Sequence, residues 1–192
     1  MNRAGVGRML VASLHQGISD LIPTRLEFYE NWLNPTGMRD GRIGLAPLAA
    51  VLSFLRQEGE PYTLVTSRAG QYAAQWTFDN LTPIERSIIR ALPVMLRARV
   101  AMQLARKVVK RSYGGSRAVA KLRRGRGTLM LRNSIFCAVR EPFQWPLCVF
   151  YSAALSHLFA LVGVGGEVRV HACQGVGDNS CIIAVHVPPE QK

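Results

Sequence analysis

From Trp145 to Gly166 no side chain carries a charge. A stretch of this kind is nearly long enough to cross a bilayer, and it has to be hidden from water somewhere. It carries Ser152, Ser156 and His157, begins at Pro146 and ends in glycines. Those residues make it a poor membrane span. It reads as a helix from about Pro146 to Leu161 buried in a protein core, so the rest of the chain must cover it. With 192 residues, 48% apolar and 19% charged, the chain has material for one sizeable folded domain, 1–192, and does not have the composition of a disordered segment.

Periodicity says what that cover is. Val6, Leu10, Leu14, Ile18 and Leu21 recur at helical spacing, and Leu26–Leu33, closed by Pro35 and Gly37, predicts a second helix. Leu45 to Gly59 predicts a third and Tyr62 to Phe78 a fourth. Thr82-Pro83-Ile84-Glu85 is a helix start: a capping threonine, proline in the first turn, and glutamate three residues on. Apolar residues then recur from Ile84 to Val108 until Gly114-Gly115, with Pro93 kinking or dividing the helix. Thr128 to Val139 predicts a strand. Glu167 to Cys173 alternates apolar and polar, and Cys181 to Val187 follows a Gly-Val-Gly-Asp-Asn turn, which predicts a hairpin. Helices, strand, helix and hairpin make an α+β fold, several helices packed on a small antiparallel sheet.

The net charge of +12 is unevenly placed, with no acidic residue between Glu85 and Glu141. Arg97, Arg106, Lys110, Arg111, Lys121, Arg123, Arg124 and Arg126 form a candidate surface for an anionic membrane or an acidic protein partner. A solvated helix face is the plain alternative. Nucleic acid is not expected as a partner, since no helix-turn-helix or RNA-binding signature accompanies the charge.

Cys137, Cys148, Cys173 and Cys181 all fall in the last third of the chain. Met1 to Gly17 lacks the continuous apolar run and cleavage site of a secretory signal, so a cytoplasmic protein is expected, peripheral to a membrane if the basic surface docks there. Clustered thiols in a reducing compartment point to metal or reactivity. The turn between Cys173 and Cys181 brings both to one end of the hairpin. Cys148, at the start of the uncharged helix, and Cys137 can approach them if that helix crosses the hairpin. Thiolates in fours suit Zn²⁺. Four separately buried thiols are the alternative.

The run Cys148-Val149-Phe150-Tyr151-Ser152-Ala153-Ala154, then Leu158-Phe159, Val168-Arg169, Cys173, Gly177-Asp178 and Cys181, resembles the 4-vinyl reductase domain. Ala69-Gly70-Gln71-Tyr72, Leu92-Pro93 to Arg99-Val100, and Asn133 to Cys137 are similar to its bacteriochlorophyll 4-vinyl reductase-like branch. The resemblance spans Arg25 to Val187 and is strongest from about 91 to 187. It implies a fold like that of the small TRAPP vesicle-tethering subunits, a homodimer, and ligand-sensing or tetrapyrrole-pathway relatives. It also implies a structural zinc on three cysteines and a glutamate. Here those cysteines are Cys148, Cys173 and Cys181, and the glutamate position holds Val170, which cannot ligate. Cys137, or His171 beside that position, is then the fourth ligand.

No strand followed by G-x-G-x-x-G and a helix appears, so no nucleotide cofactor is expected; Gly163-Val164-Gly165-Gly166 lacks that context. His15, His157, His171 and His186 are scattered, and no paired carboxylates stand out among twelve acidic residues. A tetrapyrrole vinyl reductase is a further alternative, but these residues give it no catalytic support. Trp76, Trp145, Phe150 and Tyr151 are the candidate lining of a site for an apolar molecule (a tetrapyrrole, an aromatic or a lipid), with core filling as the alternative. The reading is a non-catalytic carrier or sensor. A scaffold docking through the basic segment is its rival.

Overall fold

The computed structural model describes residues 5–33 and 44–188, so Pro35 and Gly37 lie outside the described residues. Helices α1 (Arg8–Leu21), α2 (Leu26–Leu33), α3 (Leu45–Gln57), α4 (Glu60–Asp79), α5 (Pro83–Ala91) and α6 (Val94–Ser112) come first. Strands β1 (Arg117–Arg123) and β2 (Arg126–Arg132), helix α7 (Val149–Leu161), and strands β3 (Glu167–Ala172) and β4 (Cys181–His186) follow. All strand pairs are antiparallel, in the order β1-β2-β4-β3. The fold is α+β, helices on a small antiparallel sheet, as the sequence predicts.

The uncharged segment forms α7 at the centre. It buries Phe150, Tyr151, Ala154, Leu155, Leu158 and Phe159 against α4 and α6 and against β3 of the sheet. Among the described residues no helix is long and apolar enough to cross a membrane. Its carbonyl end is closed by Arg97 of α6, whose Nη1 donates to Val162 O at 3.1 Å and Gly163 O at 2.9 Å. A cation there satisfies carbonyls that have no partner within the helix.

Helix α4 lies against α7 in the most extensive contact between elements of the fold. A Cβ on Gly70 would stand 2.2 Å from Phe150 O, so only glycine lets the two backbones meet. The capping box at Thr82 forms as read: the Glu85 amide donates to Thr82 Oγ1 (3.2 Å) and the Thr82 amide to Glu85 Oε2 (2.7 Å). Pro93 divides the following helix rather than kinking it, since α5 stops at Ala91 and α6 starts at Val94.

Two departures concern the sheet. Arg117–Arg123, for which no strand is predicted and whose Lys121 and Arg123 belong to the basic set, is β1. It joins β2 through a two-residue turn in which Arg124 (φ 49°) and Gly125 (φ 77°) are both left-handed, the type I′ geometry that matches strand twist. Strand β2 ends at Arg132, so the predicted strand to Val139 is cut short. Ile135–Cys137 is a 3-10 turn that swings the chain off the sheet.

Candidate metal centre and adjoining cleft

Each cysteine is carried in by a different structural device. Cys137 ends the 3-10 turn after β2 and Cys148 is the N-cap of α7. Cys173 follows β3, and Cys181 opens β4 in register with Leu131 of β2. The β3–β4 connection is shaped by its own residues: Gly177 is left-handed (φ 100°), and Asp178 Oδ2 accepts from the Cys173 amide at 2.8 Å. That closure folds the two hairpin cysteines toward each other.

The four sulfur atoms lie within 4.8 Å of one another, with no disulfide among them. Cys148 Sγ donates to Cys173 Sγ at 2.8 Å, and Cys137 Sγ lies 3.5 Å from Cys173 Sγ and 3.4 Å from Cys181 Sγ. A tetrahedral zinc with bonds of about 2.3 Å needs sulfur–sulfur edges of roughly 3.8 Å, so small adjustments reach that geometry. Three of the thiols are buried and Cys137 is half-buried. Two backbone amides aim at sulfur: Leu147 N–H at Cys173 and Gln174 N–H at Cys181, both at 3.3 Å. Such donors stabilise thiolate charge. The thiols around it, Cys137 foremost, hold Cys173 far below the ordinary thiol range. Cys148 is pushed up, again chiefly by Cys137, because neighbouring sulfurs cannot all ionise without a cation. Four soft ligands so placed can hold a metal ion.

His171 is exposed on β3 and stands outside this sulfur cluster, while Cys137 is within it. Val170 points to the half-buried side of the strand.

The other candidate residues are dispersed. Phe150 and Tyr151 are fully buried, with Phe136 stacked on Phe150 (4.9 Å) and edge-on to Tyr151 (5.4 Å). Burial pushes the pKa of the Tyr151 hydroxyl up, offset in part by the Ser116 and Ser134 hydroxyls beside it. Trp145 is half-buried against Phe143 (5.6 Å). Trp76 stacks on Tyr72 (5.7 Å) on the side of α4 where Tyr72 and Arg68 bind Asp20.

A cleft of about 690 Å³ opens between α3 and the segment after Cys137. Ala49, Ala50, Ser53 and Gln57 line one wall, and residues 138–141 with Phe143 line the other. Arg56 is its one buried lining residue, 6% exposed. Its Nη2 donates to Phe136 O at 3.1 Å, next to Cys137. Sequence reading passed over Arg56 because a single arginine near the end of an apolar helix looks like an ordinary solvated side chain; the signal is its burial, and that exists only in the folded chain.

Of the basic set, Arg97 is committed to α7, and Arg106 donates to Ala118 O (3.2 Å) and Gln103 Oε1 (2.8 Å). Lys110, Arg111, Lys121, Arg123, Arg124 and Arg126 are exposed. Lys110 lines a cleft of about 530 Å³ beside β1 with Arg106, Lys107 and Arg117.

No protein-family model matches the sequence, and no curated protein does. Among solved structures the chain is similar to an H-NOX protein from S. oneidensis in the Fe(II)NO ligation state, with TM-score 0.59 and 9% identity over 95% of this chain and 99% of that one. It is also similar to the phenol-responsive sensory domain of the transcription activator PoxR with phenol, with TM-score 0.49 and 17% identity over 75% and 74% of the two chains. These findings overturn the resemblance to the 4-vinyl reductase domain and to TRAPP subunits, and the homodimer and glutamate ligand it carried lose their ground. The motif that suggested it has local causes here: Gly177 and Asp178 are required by the turn that closes the cysteines, and the aromatic residues by the packing of α7. The likeness to the H-NOX protein shows that the two chains share a fold.

Proposed function

We propose that this chain is a non-catalytic binding domain that holds a small apolar molecule, as carrier or sensor, beside a structural zinc on Cys137, Cys148, Cys173 and Cys181. The observation that carries the reading is the convergence of four sulfurs from four separate segments at the edge of an open cleft. Zinc in this place ties the start of α7 to the β3–β4 hairpin and to the turn after β2, which makes it a clamp. The cleft wall combines apolar residues (Ala49, Ala50, Ala138, Val139 and Phe143) with polar ones, its volume suits a small molecule that carries both kinds of surface, and Trp145 reaches its rim through Phe143. Phe150 and Tyr151 stand behind it as packing. The shared fold supports the reading further, because the H-NOX protein's structure is in a ligated state.

The test is elemental analysis and native mass spectrometry of protein purified without chelator. One zinc per chain is expected, together with a copurifying small molecule released on denaturation. Metal-free protein that carries no molecule and gains no thermal stability from added zinc would defeat the reading.

A second reading has its own observation. The outer face of the sheet presents Arg117, Lys121, Arg123, Arg126 and Arg132 around Val119, which is 50% exposed. Cations around an exposed apolar residue suit an anionic membrane surface. Sedimentation with phosphatidylserine vesicles that is abolished by high salt is the expected result, and binding that persists at high salt or needs no anionic lipid speaks against it.

A further inference from the structure

Arg56 is the only charged side chain among the buried described residues. No carboxylate among the described residues pairs with it. Its Nη2 donates to Phe136 O, the Tyr62 hydroxyl interacts with the guanidinium, and Nε, sealed from solvent, has no acceptor. A buried guanidinium nitrogen left without an acceptor costs about 1–3 kcal/mol, and folded proteins rarely leave that cost standing. The residue sits at the base of an open cleft, so an anion can come from outside the chain. Around the guanidinium the walls are Ala50, Val139 and Phe143, with Ser53 and Gln57 as neutral polar groups. Arg140 and Glu141 at the exposed rim offset each other, leaving the cleft with one positive charge. A phosphate dianion would meet too few cations, and an uncharged apolar molecule would leave Arg56 unpaired. A monoanion with an apolar body satisfies both halves of the site.

We propose that this cleft binds an organic monocarboxylate, its carboxylate on Arg56 and its apolar body against Ala50, Val139 and Phe143. The proposal rests on the small-molecule reading above and gives that molecule its chemical class. Guanidinium–carboxylate pairing is charge-assisted and directional, so it discriminates strongly against a neutral isostere. Because Arg56 also holds the carbonyl of Phe136, the occupied site is linked through one peptide to Cys137 and the sulfur cluster.

The test compares benzoate with benzamide on the full chain, followed by tryptophan fluorescence, since Trp145 abuts the Phe143 that lines the cleft. Benzoate is expected to bind at least roughly tenfold more tightly than benzamide. Arg56→Gln should erase that preference. Ala50→Glu, which adds a carboxylate to the cleft wall, should erase it with Arg56 intact, and it serves if Arg56→Gln does not fold. Equal binding of the two probes to the wild type overturns the carboxylate and leaves the small-molecule reading standing. Binding of neither probe overturns the proposal, while the copurified molecule still decides the wider reading. If Arg56→Gln releases zinc and the wild type shows no preference for benzoate, Arg56 serves the metal centre and the proposal falls.

Discussion

Replacing Cys173 with serine is expected to empty the metal centre and to destabilise the fold by about 3–5 kcal/mol, a fall in Tm on the order of 10 °C for a chain of this size. Cys173 is the hub of the cluster: it touches Cys148 and Cys137 directly and accepts the Leu147 amide. A serine oxygen is shorter and harder and does not replace a thiolate on zinc. Without the metal, the start of α7, the β3–β4 hairpin and the turn after β2 are joined at this corner only by packing and by hydrogen bonds such as that from Phe143 N–H to Gly175 O at 2.7 Å. A buried thiol with no metal would cost much less on exchange, and its Tm would ignore zinc. Calorimetry with and without added zinc, alongside metal content, separates the two cases. Retention should also fall as the solution is acidified, because protons compete with the metal for all four sulfurs.

Gly70→Ala is expected to destabilise the protein by about 2 kcal/mol, and Gly70→Val by more than about 3 kcal/mol. Helix propensity argues the other way, since alanine in the middle of a helix is favoured over glycine by about 1 kcal/mol. The contact decides the sign. The added Cβ would stand 2.2 Å from Phe150 O, 3.1 Å from Phe150 C and 3.2 Å from Ala154 N, all backbone atoms of α7. Backbone has no rotamer to retreat into, so α4 and α7 must part and lose packing along the most extensive contact of the fold. Phe150 lies two residues beyond Cys148, so the same displacement should loosen zinc retention in Gly70→Val. Denaturant titration of the three proteins measures the first effect and metal content the second. A stabilised Gly70→Ala would show that the helices are less tightly seated than their geometry implies.

Much of the architecture was readable because it depends on local pattern. The absence of charge from Trp145 to Gly166 announced a buried central helix, and alternation on either side of a Gly-Asp turn announced the β3–β4 hairpin. Thr82 and Glu85 announced a helix start whose two hydrogen bonds are both present. Strand β1 was hidden because the alternation of Ala118, Ala120 and Leu122 is faint beside its cations, and because its turn uses Arg124 where asparagine or aspartate is usual. The family resemblance failed for a related reason: short cysteine and glycine patterns record the needs of a turn and a helix cap, which unrelated chains can share.

Residue order along the chain was thus enough to specify which segments are helices, which alternate as strands, and that four thiols stand near the ends of such segments. Their convergence within 4.8 Å, the enclosure of Arg56 without a counter-ion, and the seating of α4 on α7 through Gly70 arise from contacts between segments far apart in sequence. Periodicity reports which face of an element is apolar, but it carries no information about which neighbour that face will meet, and these features depend on that choice.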